Sequence, residues 1–232
     1  LVLNQIANQI NRNKKIDYST IKGIAYKLSD GQIILNQRQQ IIKDLNIIAP
    51  YDYSLFDDQT LLRPYNGQVL RAVDYELSRG CIYSCSYCVE TVLQNYYGFN
   101  KILKRGVIDR ASQYLRHKSA EVIFEEMRFL ATKRGISLFR CQDTNFLSIH
   151  RPTLLKLANL LEESQLPVKL YIETRPEGIT TETANLLKRL KVDGIGMGIE
   201  LSEQNFRESK LNRFSNQEKI IRAFEILKDN KI

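Results

Sequence analysis

From residue 74 onward, short apolar runs alternate with amphipathic stretches, and no other feature of the chain constrains its fold as tightly. Strand-length apolar runs separated by helix-length periodic stretches predict βα units around a parallel sheet. The expected strands span about 74–79, 136–142, 168–174 and 194–200. The expected helices span 86–97, 119–133, 151–164 and 181–191, with a last one opening at the capping box Ser215-Asn216-Gln217-Glu218. Ser119 suits a helix cap and Pro152 a first turn, while Ile123, Met127 and Leu130 share one helical face. Residues 98–115 read as an irregular insertion. Upstream, Ser29-Asp30-Gly31 between apolar runs predicts a hairpin over 21–36. Residues 37–73, with Pro50 and Pro64 and no clear period, read as a linker. The expected division is therefore 1–73 and 74–232. The chain opens on Leu1 and stops at Lys231-Ile232 after a helix-like run, so it reads as a fragment truncated at its C-terminus.

The composition is 43% hydrophobic and 26% charged, which excludes a disordered or collagen-like chain. No run approaches the roughly 18 apolar residues of a membrane span. There are 34 Lys and Arg against 26 Asp and Glu, a net charge of +8. That balance permits a nucleic-acid or anionic partner, and equally a solvated basic surface, because no single basic block dominates.

Strand parity indicates which side chains face the inside of such a half-barrel, since helices cover the outside. In the last strand Ile195, Met197 and Ile199 form the outward set, leaving Gly194, Gly196, Gly198 and Glu200 inward. In the third, Val168, Leu170 and Ile172 point out, leaving Tyr171, Glu173 and Arg175 inward. In the second, Ile136 and Leu138 are expected outward and Phe139, Cys141 and Asp143 inward. Polar groups therefore gather at the C-terminal strand ends, where sites of such folds lie. The inward glycines suit either a flat ligand or close packing.

Three of the four cysteines, Cys81, Cys85 and Cys88, fall on one tight loop with spacing C-x3-C-x2-C at the end of the first strand. Clustered thiols without an export signal point to a metal in a reducing, cytoplasmic setting. Three thiolates can bind three irons of a [4Fe–4S] cubane and leave one iron open. A structural zinc site would want a second pair of ligands, and Cys141, His117 and His150 are isolated. Buried cysteines without metal are the third reading.

This loop, with Tyr87 before its last cysteine, resembles that of the radical S-adenosylmethionine (SAM) superfamily. Further matches are Arg116-His117-Lys118-Ser119, Gln142-Asp143-Thr144-Asn145-Phe146, Thr174-Arg175-Pro176 and Gly198-Ile199-Glu200. Together with Gly23-Ile24-Ala25-Tyr26, Asp30-Gly31 and Asp44-Leu45 through Pro50-Tyr51-Asp52-Tyr53, they resemble the branch associated with cobalamin-binding domains. The resemblance implies an α/β fold, a partial (β/α) radical SAM barrel with parallel strands preceded by a β-hairpin and linker. It implies that Cys81, Cys85 and Cys88 hold the cluster and that SAM chelates the open iron. Tyr87 would lie against the adenine, Asp143 would meet the SAM amine, and Gly198 and Glu200 would meet the ribose or methionine end. Glu173 and Arg175 would contact the SAM carboxylate or the substrate. An internal salt-bridge network is the competing reading of these polar residues. Residues 142–145 depart from the Gly-Gly-Glu of many members.

The implied activity is reductive cleavage of SAM to a 5′-deoxyadenosyl radical for methylation, cyclisation or related modification of a small organic substrate. Cobalamin would be bound by a domain outside this chain, and a flavodoxin or ferredoxin would supply electrons. The alternatives are a radical methylthiotransferase acting on RNA or protein, and a non-enzymatic zinc or iron–sulfur module.

Overall fold

The structure, a computed structural model, describes residues 2–12 and 15–232. It divides into two compact units that meet in sequence at Ile42 and Lys43. The first carries helix α1 (Val2–Asn11) and the expected hairpin, strands β1 (Ala25–Lys27) and β2 (Ile33–Leu35), paired antiparallel with Tyr26 opposite Ile34. Gly31, at φ 91°, closes its turn in a conformation that favours glycine.

The second unit starts with single helical turns, two of them capped by Asp44 and Asp52, which accept from Asn46 N and Ser54 N at 2.9 Å. Strands β3 (Leu62–Tyr65) and β4 (Gln68–Tyr75) follow as an antiparallel hairpin. This corrects the expected linker, and the first parallel strand starts six residues earlier than position 74. Asn66 and Gly67 take positive φ angles of 48° and 74°, the geometry a two-residue hairpin turn demands. Strand β5 (Ser78–Arg79) leads into the cysteine loop, and helix α2 (Val89–Tyr96) leaves it. The insertion contains the short helix α3 (Ala111–Tyr114) and strand β6 (Arg116–His117), which pairs back on β5.

Helix α4 (Ala120–Arg134), strand β7 (Leu138–Cys141), helix α5 (Arg151–Ser164), strand β8 (Lys169–Thr174), helix α6 (Thr181–Arg189) and strand β9 (Val192–Met197) complete the alternation. Ser119 caps α4, accepting from Val122 N, and Gly135 stops it in a left-handed conformation. Helices α7 (Gln204–Ser209) and α8 (Gln217–Asp229) follow, α8 capped by Asn216 where Ser215 was expected. The buried Ser215 hydroxyl is engaged with Glu177 instead.

The sheet order is β3-β4-β7-β8-β9, parallel from β4 to β9. One face packs Val73, Tyr75, Phe139, Cys141, Leu170 and Ile172 against Ile123, Met127, Leu157 and Leu187 of the helices. Each buried side chain of this kind contributes on the order of 1.5–3 kcal/mol. The pairing of Val73 with Phe139 and of Phe139 with Leu170 places Phe139 and Cys141 on this helix-covered face. The expected parity of that strand is therefore inverted. Arg140, paired with Asp74 at 3.3 Å, is its polar contribution to the open face. Ile136, used to set the parity, precedes the strand.

The expected inward sets of the other two strands hold as far as the strands run, with Arg175, Gly198 and Glu200 lying beyond their ends at Thr174 and Met197. Tyr171 and Glu173 pair with Gly194 and Gly196 on the open face. The sheet is curled enough that Tyr65, on one edge strand, reaches Gly194 on the other. Its ring stands edge-on to Tyr171 at 6.5 Å. Tyrosine hydroxyls thus occupy the space the glycines leave: a Cβ at Gly196 would lie 2.6 Å from the Tyr171 hydroxyl.

Candidate functional site

The protein's own hydrogen bonds and packing shape the cysteine loop. Gly80 enters it at φ 93°, and a Cβ there would lie 2.6 Å from the Tyr114 carbonyl oxygen, so only glycine fits. Helix α2 turns a polar face inward: Gln94 is fully buried and donates from Nε2 to the carbonyls of Cys81 and Tyr83, both at 2.9 Å. Its apolar residues Val89, Val92 and Tyr96 face outward. Thr91 Oγ1 donates to the Cys85 carbonyl at 2.7 Å, and Asn212 Nδ2 to the Ser84 carbonyl at 2.7 Å. Cys81 and Cys85 are buried, Cys88 is half-buried at the start of α2, and all three are free thiols. Burial pushes the Cys81 thiol up to about 11.

The run Gln142-Asp143-Thr144-Asn145 fastens this loop to the sheet, one residue per neighbour. Gln142 Nε2 donates to Asp74 at 2.8 Å. Asp143 accepts from Ser78 N at 2.6 Å, Ser78 Oγ at 2.5 Å and Leu77 N at 3.2 Å. Thr144 Oγ1 donates to the Gly80 carbonyl at 3.0 Å. Asn145 Oδ1 accepts from Thr174 Oγ1 at 2.7 Å and from Arg175 N at 3.3 Å. Asp143 is 1% exposed, and burial outweighs these donors to push its carboxyl up to about 6. Its oxygens face the strand that leads into the cysteine loop, and it does not line the cleft where the SAM amine was expected to meet it. The small ladder at Arg116-His117 is backed by a buried group: Lys118 Nζ and the Tyr75 hydroxyl both donate to Glu126 at 2.5 Å.

A cleft of about 360 Å³ opens at the C-terminal ends of β8 and β9, walled by Thr144, Glu173, Arg175, Gly198, Glu200 and Arg213 among others. Arg175 donates from Nη1 to Cys85 Sγ at 3.5 Å, pairs with Glu177 at 2.8 Å, and stacks on the Tyr83 ring at 3.9 Å. Its guanidinium thus touches both the thiol and Glu177 while still walling the cleft. Glu173 holds no hydrogen-bond or ion-pair partner among the described residues. Arg213, which sequence patterning does not flag, is buried in the cleft wall. It donates to the Gly198 carbonyl and, at 3.2 Å, to the Tyr87 hydroxyl, and it lies 3.7 Å from Glu200. Its Nε has no partner among the described residues. Burial raises the Tyr87 phenol while Arg213 lowers it, and burial wins. Glu200 takes a left-handed φ of 70°, which folds its carboxylate back over Gly198.

Three free thiols on one loop are the donors a cluster of this kind would need. Among the described residues no three His, Cys, Asp or Glu side chains converge as around a single metal. Three thiolates that bind three separate irons need not converge on a point. His117 and His150 stack on each other at 6.1 Å, and Cys141 lies in the apolar core, so neither the imidazoles nor the fourth thiol joins the loop. Among the described residues no helix is long and apolar enough to cross a membrane.

Residues 75–232 match the sequence profile of the Radical SAM superfamily. The anaerobic magnesium-protoporphyrin IX monomethyl ester cyclase of Rubrivivax gelatinosus is 24% identical over 93% of the chain, which spans 35% of that protein. Two solved structures share the fold. One is the radical SAM methyltransferase TsrM from Kitasatospora setae, described with cobalamin and a [4Fe–4S] cluster (TM-score 0.64, 18% identity, all of this chain, 42% of that one). The other is the cobalamin-dependent SAM radical enzyme OxsB, described with aqua-cobalamin and SAM (TM-score 0.66, 15% identity, 97% of this chain, 30% of that one).

Proposed function

The chain belongs to the radical SAM superfamily, whose cofactors are a [4Fe–4S] cluster and SAM, and from that premise we propose that Cys81, Cys85 and Cys88 hold the cluster while the adjoining cleft holds SAM. One observation carries this reading: Arg175 both donates to a loop thiol and walls the cleft, so the two sites share a side chain. When bound, the cluster supplies the electron that cleaves SAM to methionine and a 5′-deoxyadenosyl radical. Arg175 offsets the negative charge of the thiolates in a buried setting, where a charge-assisted contact is strong. Arg213 offers an unused donor at Nε and suits the SAM carboxylate. Glu173 and Glu200 supply acceptors for the amine or ribose hydroxyls, and Tyr87 an aromatic edge for the adenine. Asp143 acts at one remove, by fixing Leu77 and Ser78.

The reaction we assign is methylation, cyclisation or a related modification of a small organic substrate. It rests on the methyltransferase and cyclase relatives, with cobalamin supplied by a domain beyond this chain. The test is electron paramagnetic resonance of anaerobically reconstituted, dithionite-reduced protein with and without SAM. A cluster signal that changes on adding SAM is expected. A signal indifferent to SAM, or folded protein that takes up no iron, refutes the assignment.

A further inference from the structure

Between residues 98 and 118 six lysines and arginines stand against one acid, Asp109. Lys118 is buried on Glu126 and Lys101 pairs with Asp109 at 3.7 Å, while Lys104 and Arg105 form no ion pair among the described residues. Within this stretch Lys101-Ile102-Leu103-Lys104-Arg105 forms an exposed turn whose apolar members are not tucked in: Ile102 is 50% and Leu103 48% exposed. The turn is nonetheless rigidly placed. Ser84 N donates to the Gly106 carbonyl at 2.8 Å, and Ile108 N to the Ile82 carbonyl at 2.9 Å, so its base is a strand-like partner of the cysteine loop. Arg105 and Gly106 both take left-handed φ, and a Cβ at Gly106 would meet the Asn212 carbonyl at 2.8 Å.

Beside the turn lies a cavity of about 430 Å³, rimmed by Arg105 and Lys219 and walled by Tyr83. The Tyr83 ring rests on Arg175, which touches Cys85. One ring and one guanidinium therefore separate this surface from a cluster thiol. Lys104, Arg105 and Lys219 form no ion pair among the described residues, and the acids of the cavity are already engaged: Glu177 with Arg175, and Glu208 with Gln204.

We propose that the Lys101–Arg105 turn and the cavity walled by Tyr83 dock an acidic one-electron carrier protein. This rests on the cluster assignment above, because the site needs an electron from outside. The step is a single electron passing from the reduced carrier to the cluster, with no bond made or broken. Cations around the contact attract an acidic partner and speed the encounter. The apolar pair between them gives a protein interface its dry centre. An RNA surface would instead present exposed rings for stacking, whereas Phe99 and Tyr114 of this stretch are buried, with Arg110 over the Phe99 face, and the half-buried His117 is stacked on His150.

The experiment uses the reconstituted chain, a purified acidic flavodoxin in its fully reduced form, and the variant Lys104→Glu/Arg105→Glu. Expected are at least about ten-fold weaker flavodoxin binding with a flatter salt dependence, and a matching drop in the stopped-flow rate of cluster reduction. Reduction of the variant by dithionite is expected to equal that of the parent. Leu103→Ser is expected to weaken binding without flattening the salt dependence. Unchanged flavodoxin binding in the double variant overturns the proposal. So does a loss confined to the binding of a structured RNA, which would make this a nucleic-acid surface. Folded parent protein that takes up no iron overturns the cluster assignment itself and is read separately, by iron content before any reductant is added.

Discussion

Arg175 Nη1 donates to Cys85 Sγ at 3.5 Å while the same guanidinium holds Glu177 at 2.8 Å. Cys85 is a proposed cluster ligand, and a fixed buried cation beside it would favour the reduced, more negative state of the cluster. Arg175→Met is expected to move the cluster's midpoint potential to a more negative value, read by redox titration. It also leaves Glu177 with Ser215 as its remaining side-chain partner, and denaturant titration should show a loss of about 1–3 kcal/mol.

Cys85→Ala is expected to abolish the brown cluster, read as iron per chain and visible absorbance. Cys141→Ser is expected to leave iron content unchanged. It places a hydroxyl in the apolar core, so stability should fall by about 1–3 kcal/mol. Loss of iron in the second variant alone would overturn the ligand assignment.

Asp143→Asn should cost about 1–3 kcal/mol, because one oxygen facing the Leu77 and Ser78 donors becomes a donor itself. The cost depends on pH. Asp143 binds its proton more tightly in the fold, at about 6, than at the ordinary 3.8. Its stabilisation is therefore full below 3.8 and is lost as pH rises through about 6. Urea titrations should show a larger penalty for the variant at pH 4.5 than at pH 7.5. SAM affinity should fall only as far as the loop loosens.

Arg213→Met is expected to weaken SAM binding by about ten-fold or more with iron content unchanged, read by calorimetry on the reconstituted protein. Arg213→Lys keeps the charge but cannot reproduce its contacts with Tyr87, Glu200 and Gly198, so it should recover only part of the loss. Full affinity in the methionine variant would refute the clamp.

Gly80→Ala forces a side chain onto the Tyr114 carbonyl and into a conformation that glycine alone takes cheaply. The expected cost is about 1–3 kcal/mol, with faster loss of iron to a chelator. The control Gly67→Ala meets no atom within 4 Å and should cost less.

Much of this was legible in the residues. The βα order, the hairpin at Asp30-Gly31 and helix 151–164 follow from local periodicity and turn chemistry. The β7 parity was not, because Leu138 and Phe139 are equally apolar and only pairing with β4 and β8 decides between them. The Asn66-Gly67 turn is a strong local signal, masked here by the prolines and polar residues around it. Arg213 sits in a stretch with no period, and its place in the cleft depends on the carbonyl of Gly198, fifteen positions away. The three donors that reach Asp143 come from Leu77 and Ser78, more than sixty positions upstream, and only the fold brings them to it.

The reach of Tyr65 to Gly194 bears on how the chain folds. Neighbouring strands of the sheet join residues that local βα units bring together one after another. The tyrosine joins the hairpin to the strand at the far edge, and so closes the longest loop in the sheet. Its contact with Tyr171 therefore reports whether the two edges of the sheet have met, and a probe placed there would read closure of the curl separately from formation of the Asn66-Gly67 turn.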